Sequence, residues 1–119
     1  MLAAENLRPI IGIYAQPASK HGEYIAASYV KWIESAGGRA IPIPYNASKP
    51  QLKQLFHSIN GLLYPGGNAH MLDAAQYLYD LAVHANEHEN DFFPVFGYVD
   101  SKLGIFMIIS PSGQNMFGI

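Results

Sequence analysis

Two glycines after a short apolar segment mark the first place in this sequence where a ligand site is expected. The segment reads INGLLYPGG (residues 59–67). Gly66 and Gly67 allow the backbone to approach a ligand closely and to point N–H groups at it, as stabilising an oxyanion requires. In an open α/β sheet, ligands bind beyond the carboxyl ends of the strands, where this loop would lie. The two glycines alone favour a simpler interpretation, a turn between a strand and a helix.

Histidines are the other residues that could do chemistry, because the chain contains no cysteine. His84 and His88 are four residues apart, a spacing that places two imidazoles on one helical turn as metal ligands. The segment around them, HANEHEND (residues 84–91), is polar and offers no third ligand at a compelling spacing, so a solvated helix end is favoured. The remaining histidines, His21, His57 and His70, are isolated. His21 and His70 fall in loops near predicted strand ends, where either could line a cleft, although each is more often a simple loop residue. We therefore expect no metal and no cofactor.

The composition indicates one globular domain with a small core. The chain has 119 residues, half of them hydrophobic and 13% charged, with a net charge of −2. Without a basic stripe, binding to nucleic acid is not expected, and no apolar run is long enough to span a bilayer. The first ten residues show no basic region followed by an apolar stretch, so we expect no signal peptide, and the compartment is left open.

The apolar pattern alternates between strand and helix. Residues 9–15 form an apolar run that predicts a buried parallel strand. A helical stripe follows from Glu23, and Gly37 with Gly38 ends it, because glycine accepts the left-handed conformation at a helix C-terminus. The stripe consists of Ile25, Tyr29, Trp32, Ile33 and Ala36. We assign Tyr24, Tyr29 and Trp32 to the core rather than to a surface on which a pterin would stack.

The next segments continue this alternation. Residues 40–44 predict a strand, and Pro42 and Pro44 indicate a sheet edge or a strand end, because each removes a ladder donor. Ser48 and Gln51 have the spacing of a capping box before a short helix, and a third strand runs to Tyr64. A third helix and a fourth strand, residues 93–96, follow. The order predicts an α/β fold with a doubly wound parallel sheet and right-handed crossovers. Residues 103–109, LGIFMII, fit a strand or a buried helix equally well.

Three segments resemble the amino-terminal half of the gamma-glutamyl hydrolase family. They are YIAASYVKWIESAGGRAIPI (residues 24–43), INGLLYPGG (residues 59–67) and FFPVFG (residues 92–97). Members of that family are cysteine-type omega peptidases that remove gamma-linked glutamates from folylpolyglutamates. The resemblance covers residues 8–97. It implies a truncated, partial sheet of the class I glutamine amidotransferase type with flavodoxin-like layering, between a flexible start at residues 1–7 and a divergent tail at residues 98–119.

The resemblance assigns functional positions and reveals a missing one. In the family, the loop after the third strand supplies an oxyanion donor, which implies this role for Gly66 and Gly67. The family's nucleophile elbow reads Gly, small residue, Cys, apolar residue, Gly, and here the matching positions run from Gly97 to Ser101 with Val99 where the cysteine belongs. Ser101 is displaced by two residues and lacks flanking glycines, so it is a poor substitute. The family's general base comes much later in its sequence, and we expect it beyond Ile119.

These positions predict a gamma-glutamyl hydrolase-like chain that is inactive alone. The alternative is a non-catalytic binding or regulatory module that pairs with a complete subunit or holds a small acidic ligand at Gly66 and Gly67. An unrelated flavodoxin-like binder is disfavoured by the three segments. We also expect self-association, because a partial sheet leaves apolar surface bare and LGIFMII carries no charge and no proline. The family is usually lysosomal, vacuolar or extracellular, so the absence of a visible signal peptide departs from its pattern.

Overall fold

Strands and helices alternate along the first hundred residues, as the apolar pattern predicts. The computed structural model describes residues 7–18, 22–65, 73–89, 91–100, 105–109 and 115–116. The elements in chain order are β1 Ile10–Tyr14, β2 Gln16–Pro17, β3 Glu23–Tyr24, α1 Ala27–Ser35, β4 Arg39–Ile43, α2 Lys49–Ser58, β5 Gly61–Tyr64, α3 Asp73–His88, β6 Val95–Asp100, β7 Ile105–Ile109 and β8 Asn115–Met116. No helix among the described residues is both long and apolar enough to cross a membrane.

The main sheet has the strand order β4-β1-β5-β6-β7-β8. Its first four strands are parallel, whereas β7 and β8 pair in the antiparallel sense. Each parallel pair requires a crossover, and α1, α2 and α3 provide the connections. The α/β class and the parallel sheet predicted from the sequence are therefore confirmed, and β4 lies at the edge, as its prolines indicate.

Both faces of the parallel part of the sheet are covered. Leu62 packs in a cluster with α2 and α3, whereas Leu63 packs on the opposite face beside Ile33 of α1. Successive strand residues point to opposite faces, so a strand buried on both sides must be apolar at every position. All four residues of β5 are buried, and this strand is the centre of the core.

Helix α1 begins later than the sequence predicts and ends where it predicts. Glu23 and Tyr24 form β3, which pairs with β2, so the helix starts at Ala27. At its other end Gly37 has φ +93°, and the N–H groups of Gly37 and Gly38 each donate to helix carbonyls at 3.0 Å. These two bonds form a Schellman motif, which needs a left-handed residue where Gly37 stands. The predicted role of this glycine is confirmed.

Two of the three aromatic residues assigned to the core are on the surface. Tyr24 and Trp32 are each 54% exposed, and only Tyr29 is partly buried against the α1 cluster. Tyr24 belongs to β3 rather than to the helix. Trp32 lies at the margin of the helical stripe, where it packs edge-on against Phe96 with ring centroids 5.4 Å apart. The core assignment was therefore wrong for Tyr24 and Trp32.

A buried asparagine closes the connection between α3 and β6. Asn86 is 4% exposed, its amide donates to the Phe93 carbonyl at 2.8 Å, and its side-chain oxygen accepts from the Phe93 N–H at 2.9 Å. This pair of bonds holds the Phe93 ring against Phe56, with centroids 4.4 Å apart. The Asn86 side chain thus positions the residues that lead into β6.

The chain continues as a strand beyond the predicted end of β6. We expected this strand to stop at Phe96, yet it runs to Asp100 and pairs with β7 in the antiparallel sense. The register shifts between Tyr98 and Asp100, which is a bulge at Val99. Of the two conformations open to the apolar run, residues 105–109 adopt the strand.

We predict that Asn86→Ala lowers the free energy of unfolding by about 2–3 kcal/mol, because it leaves the buried N–H and carbonyl of Phe93 without partners. Glu87→Ala is the matched control, since Glu87 is exposed on the same helix and should cost less than about 0.5 kcal/mol. Urea unfolding followed by circular dichroism measures both. Equal losses in the two variants would show that the Asn86 bonds contribute nothing particular.

Candidate functional site

Three tyrosines meet at the carboxyl edge of the parallel strands. Tyr14 is the last residue of β1, Tyr64 is the last residue of β5, and Tyr45 follows β4 closely. The Tyr14 ring lies 5.5 Å from the Tyr45 ring and 5.7 Å from the Tyr64 ring, measured between centroids. Open α/β sheets bind their ligands at this edge. The tyrosine cluster therefore forms the floor of the region where a site is expected.

Hydrogen bonds tie this cluster to the connections around it. The Tyr14 hydroxyl donates to the Tyr45 carbonyl at 2.5 Å. The Tyr45 N–H donates to the Glu23 carboxylate, which links the β2–β3 hairpin to the connection between β4 and α2. Because hairpin and connection are joined through a charged acceptor, they are held together at the edge of the sheet.

The third tyrosine connects the two ends of the glycine loop, the segment between β5 and α3 that contains Gly66 and Gly67. The buried Tyr64 hydroxyl donates to the Ala75 carbonyl at 2.9 Å, joining the end of β5 to the first turn of α3. Between them lie residues 66–72, which are outside the described residues. Gly66 and Gly67 belong to this interval, so their oxyanion role stays a prediction. The described contacts show that Tyr64 anchors the chain on both sides of it.

Two of these tyrosines, Tyr14 and Tyr64, act as hydrogen-bond donors. Burial raises the pKa of Tyr14 well above its ordinary value, and Tyr45 and Glu23 raise it further. Burial likewise raises the pKa of Tyr64, with smaller contributions from Tyr14 and Asp80. Desolvation disfavours the charged form of a phenol, so both hydroxyls keep their protons at neutral pH. The cluster can position backbone and orient a ligand, but it supplies no nucleophile.

At the position of the predicted elbow, the described backbone is extended. Gly97 is buried and pairs with Tyr64 on one side and with Met107 on the other. A nucleophile elbow requires the chain to turn sharply from a strand into a helix, whereas here the strand continues through Val99 to Asp100. Ser101 lies outside the described residues. That Val99 occupies the nucleophile position remains a prediction from the resemblance.

The described histidines are at the other end of the sheet. His57 lies in the last turn of α2, and His84 and His88 lie in the last turns of α3. Both helices run back toward the amino ends of the strands, away from the tyrosine cluster. Within the described ranges no group of three or more His, Asp or Glu side chains could hold a metal ion. His21 and His70 are outside these ranges.

A shallow cleft of about 610 Å³ also lies at this amino edge. Its lining includes Arg8, Glu34, Gly37, Gly38 and Arg39. The Arg39 guanidinium donates to the Arg8 carbonyl at 3.1 Å, and the cleft faces the C-terminal end of α1, which carries partial negative charge. Two arginines and one glutamate line this cleft, so its charge is compatible with an acidic ligand. The carboxyl edge is kept as the candidate site because open α/β sheets bind their ligands there.

Comparisons with known proteins agree with the resemblance seen in the sequence. The sequence profile of the peptidase C26 family matches residues 9–91, which include β1 through α3 and the glycine loop. That match covers more than half of the chain. The chain belongs to the peptidase C26 family.

Individual relatives in the family are gamma-glutamyl hydrolases. The chain is 44% identical over 100 residues to gamma-glutamyl hydrolase of Mus musculus, a match covering 76% of this chain and 31% of the mouse protein. It is 38% identical over 122 residues to gamma-glutamyl hydrolase B of Dictyostelium discoideum, covering 92% of this chain and 34% of that protein. The human gamma-glutamyl hydrolase is 39% identical over 101 residues, covering 76% of this chain and 31% of its own length.

The extent of these matches bears on the site. The chain spans about a third of the length of the relatives it matches. The match to the Dictyostelium protein covers more residues than lie between Arg8 and Gly97, so it extends into the flanking sequence.

The tyrosine cluster was missed by the sequence analysis. The available signal was a tyrosine at or just after the end of three predicted strands, which parallel pairing brings to one edge.

We predict that the protein loses stability as the pH rises above about 10, the ordinary pKa of tyrosine. Unfolded Tyr14 and Tyr64 would release their protons there while the folded state retains them, so the free energy of unfolding should fall by up to about 1.4 kcal/mol per pH unit for each group. The double variant Tyr14→Phe/Tyr64→Phe should show a shallower fall, whereas exposed Tyr24→Phe should not. Urea unfolding at a series of pH values tests this, and identical slopes in all three proteins would contradict it.

Proposed function

We propose that this chain is a gamma-glutamyl hydrolase-like binding domain that recognises gamma-glutamyl compounds and does not hydrolyse them alone. The observation that carries the proposal is the family match over residues 9–91, because it contains the carboxyl edge formed by β1, β4 and β5. Folate polyglutamates are the substrate class that the resemblance implies. With a net charge of −2, the chain would hold such an acidic ligand through local donors, for which we propose the N–H groups of Gly66 and Gly67.

The proposal of inactivity rests on the parts that a thiol mechanism needs. Attack on a gamma-glutamyl amide requires a nucleophile, a base and an oxyanion hole that act as a unit. The 119 residues contain no cysteine. The extended backbone of β6 through Val99 supports the same conclusion, because a nucleophile must stand on a sharp turn to be presented to a substrate.

A second candidate function is a regulatory module that pairs with a complete subunit. The observation that favours it is the continuation of the sheet into β7 and β8, which gives this chain an antiparallel extension beside β6. A module of this kind would fold as a unit and bind ligand without turnover. Its affinity for ligand and its association state distinguish it from a chain that is merely inactive.

We predict that the purified 119-residue chain releases no glutamate from a folate pentaglutamate above the buffer rate, measured by mass spectrometry. The mouse gamma-glutamyl hydrolase serves as the positive control. Equilibrium dialysis with the same compound measures binding, and Gly66→Val/Gly67→Val should weaken it by blocking the approach to the backbone N–H groups. Saturable binding without turnover supports the proposal. Glutamate release that disappears when a residue of this chain is replaced would contradict it.

Introducing a thiol should not create an active enzyme. We predict that Val99→Cys has no more activity than the parent chain, because a cysteine without a neighbouring base stays largely protonated at neutral pH and the strand does not present it on an elbow. A thiol-reactive dye first establishes how accessible the new cysteine is. Turnover by this variant that alkylation abolishes would show that a base and an elbow are present after all.

We further propose that the isolated chain self-associates. Leu7, Trp32 and Phe92 are more than half exposed, and β7 has the uncharged sequence IFMII. Exposed apolar surface and apolar strands near a sheet edge favour association between chains.

Light scattering coupled to size-exclusion chromatography should therefore give a mass above 13.1 kDa that rises with concentration. Met107→Lys should reduce the association, because a charge within β7 opposes pairing between apolar strands. Gln54→Lys is the control, since Gln54 is an exposed polar residue on α2 and adds the same charge away from the apolar surface. A monodisperse monomer with a cooperative melt at every concentration would refute self-association and favour the binding module.

A further inference from the structure

We propose that His84 and His88 form a surface site for one borderline divalent cation, Zn²⁺ or Cu²⁺. The sequence pattern alone favours a solvated helix end. The structure adds that α3 continues through His88, so both residues lie on one side of a regular helix. Their imidazole rings are 5.0 Å apart between centroids, and their side chains are 61% and 65% exposed. A cation can therefore reach both rings without any change in the fold.

The separation of the rings matches what chelation requires. A zinc–imidazole nitrogen bond is about 2.0–2.1 Å long, which puts the centre of each ring about 3.2 Å from the metal. Two rings bound at a tetrahedral angle then have centroids about 5.2 Å apart. The observed 5.0 Å between the centroids agrees with this distance. Because both side chains are exposed, they can rotate to direct one nitrogen each at a shared cation.

The charges around the pair favour a cation. The Glu89 carboxylate lies 3.6 Å from His84 Nδ1, and the Glu87 carboxylate lies 3.9 Å from His88 Nε2. At these distances the carboxylates are ion-pair neighbours of the imidazoles rather than hydrogen-bond partners. Their negative charge favours a cation beside the two rings.

The ligand set also determines which cations fit. Two imidazoles select Zn²⁺, Cu²⁺ or Ni²⁺ over Mg²⁺ and Ca²⁺, which prefer oxygen ligands. Because the described residues present no preassembled group of three ligands, water completes the coordination and the site binds reversibly. This distinguishes it from a structural zinc site, in which four protein ligands surround the metal.

Binding at this site would stabilise the end of α3. Residues four apart approach each other in a helix but not in an unfolded chain, so a cation held by both histidines favours the folded state. The same turn contains Asn86, whose bonds to Phe93 position β6. A cation held by His84 and His88 would thus stabilise the turn that carries Asn86.

The test uses the full 119-residue chain with ZnCl₂, CuCl₂ or MgCl₂ as the only added ligand. Isothermal titration should give one Zn²⁺ or Cu²⁺ per chain and no heat with Mg²⁺, and saturating Zn²⁺ should raise the melting temperature by about 2 °C or more. His84→Gln and His88→Gln should each weaken binding at least about tenfold, since each removes one of two ligands. His57→Gln is the matched control, because His57 is an exposed histidine near the end of α2.

Circular dichroism checks that the exposed His84 and His88 variants keep their helix content. If both variants bind zinc as tightly as the parent chain, the site is elsewhere and the proposal is wrong. A titration of the parent chain that shows no saturable zinc or copper binding overturns it equally. Loss of binding in the His57 variant but not in the others would move the site to α2 and contradict the assignment.

Discussion

The burial of β5 between two layers of side chains is the constraint on which the rest of the structure depends. All four of its residues are buried, and it is paired in parallel with β1 on one side and β6 on the other. Parallel pairing requires a crossover on each side, and burial of both faces requires a helix layer above and below. The positions of α1, α2 and α3 follow from this one strand, as does the arrangement of the neighbouring strand ends.

The candidate site follows from the same constraint. Because β1, β4 and β5 run in parallel, their last residues reach one edge, and three tyrosines from distant parts of the chain come into contact there. The Tyr64 hydroxyl donates to the Ala75 carbonyl of α3 and so connects the two ends of the segment that contains Gly66 and Gly67. Burial keeps the Tyr14 and Tyr64 phenols neutral, so they act at this edge as hydrogen-bond donors to backbone carbonyls.

Strand β6 passes through the segment in which the resemblance predicts a nucleophile elbow. Gly97, the predicted first glycine of that elbow, is paired on both sides within the sheet. Two-sided pairing holds the chain extended, and β7 continues that pairing as far as Asp100, with a bulge at Val99. The pairing with β7 therefore keeps the segment after Gly97 within the sheet as far as Asp100.

The sequence by itself determined the class of the fold, because apolar periodicity reports which faces of a strand or helix are buried. Three local features were predicted in this way: the apolar run of β1, Pro42 in β4 and Gly37 at the end of α1. Each depends on residues close to it in the chain, so a short segment of sequence is enough to predict it. The oxyanion role of Gly66 and Gly67 and the place of Val99 at the nucleophile position stay predictions from the resemblance.

Only the tertiary structure decided which distant residues meet. Helix α1 begins later than predicted because Glu23 and Tyr24 form a strand that pairs with β2. Trp32 is exposed because it lies at the margin of the helix face that packs on the sheet. The tyrosine cluster and the extension of β6 depend on strand order and on antiparallel pairing with β7. These are contacts between segments far apart in the chain, and the periodicity of a single segment carries no information about its partner.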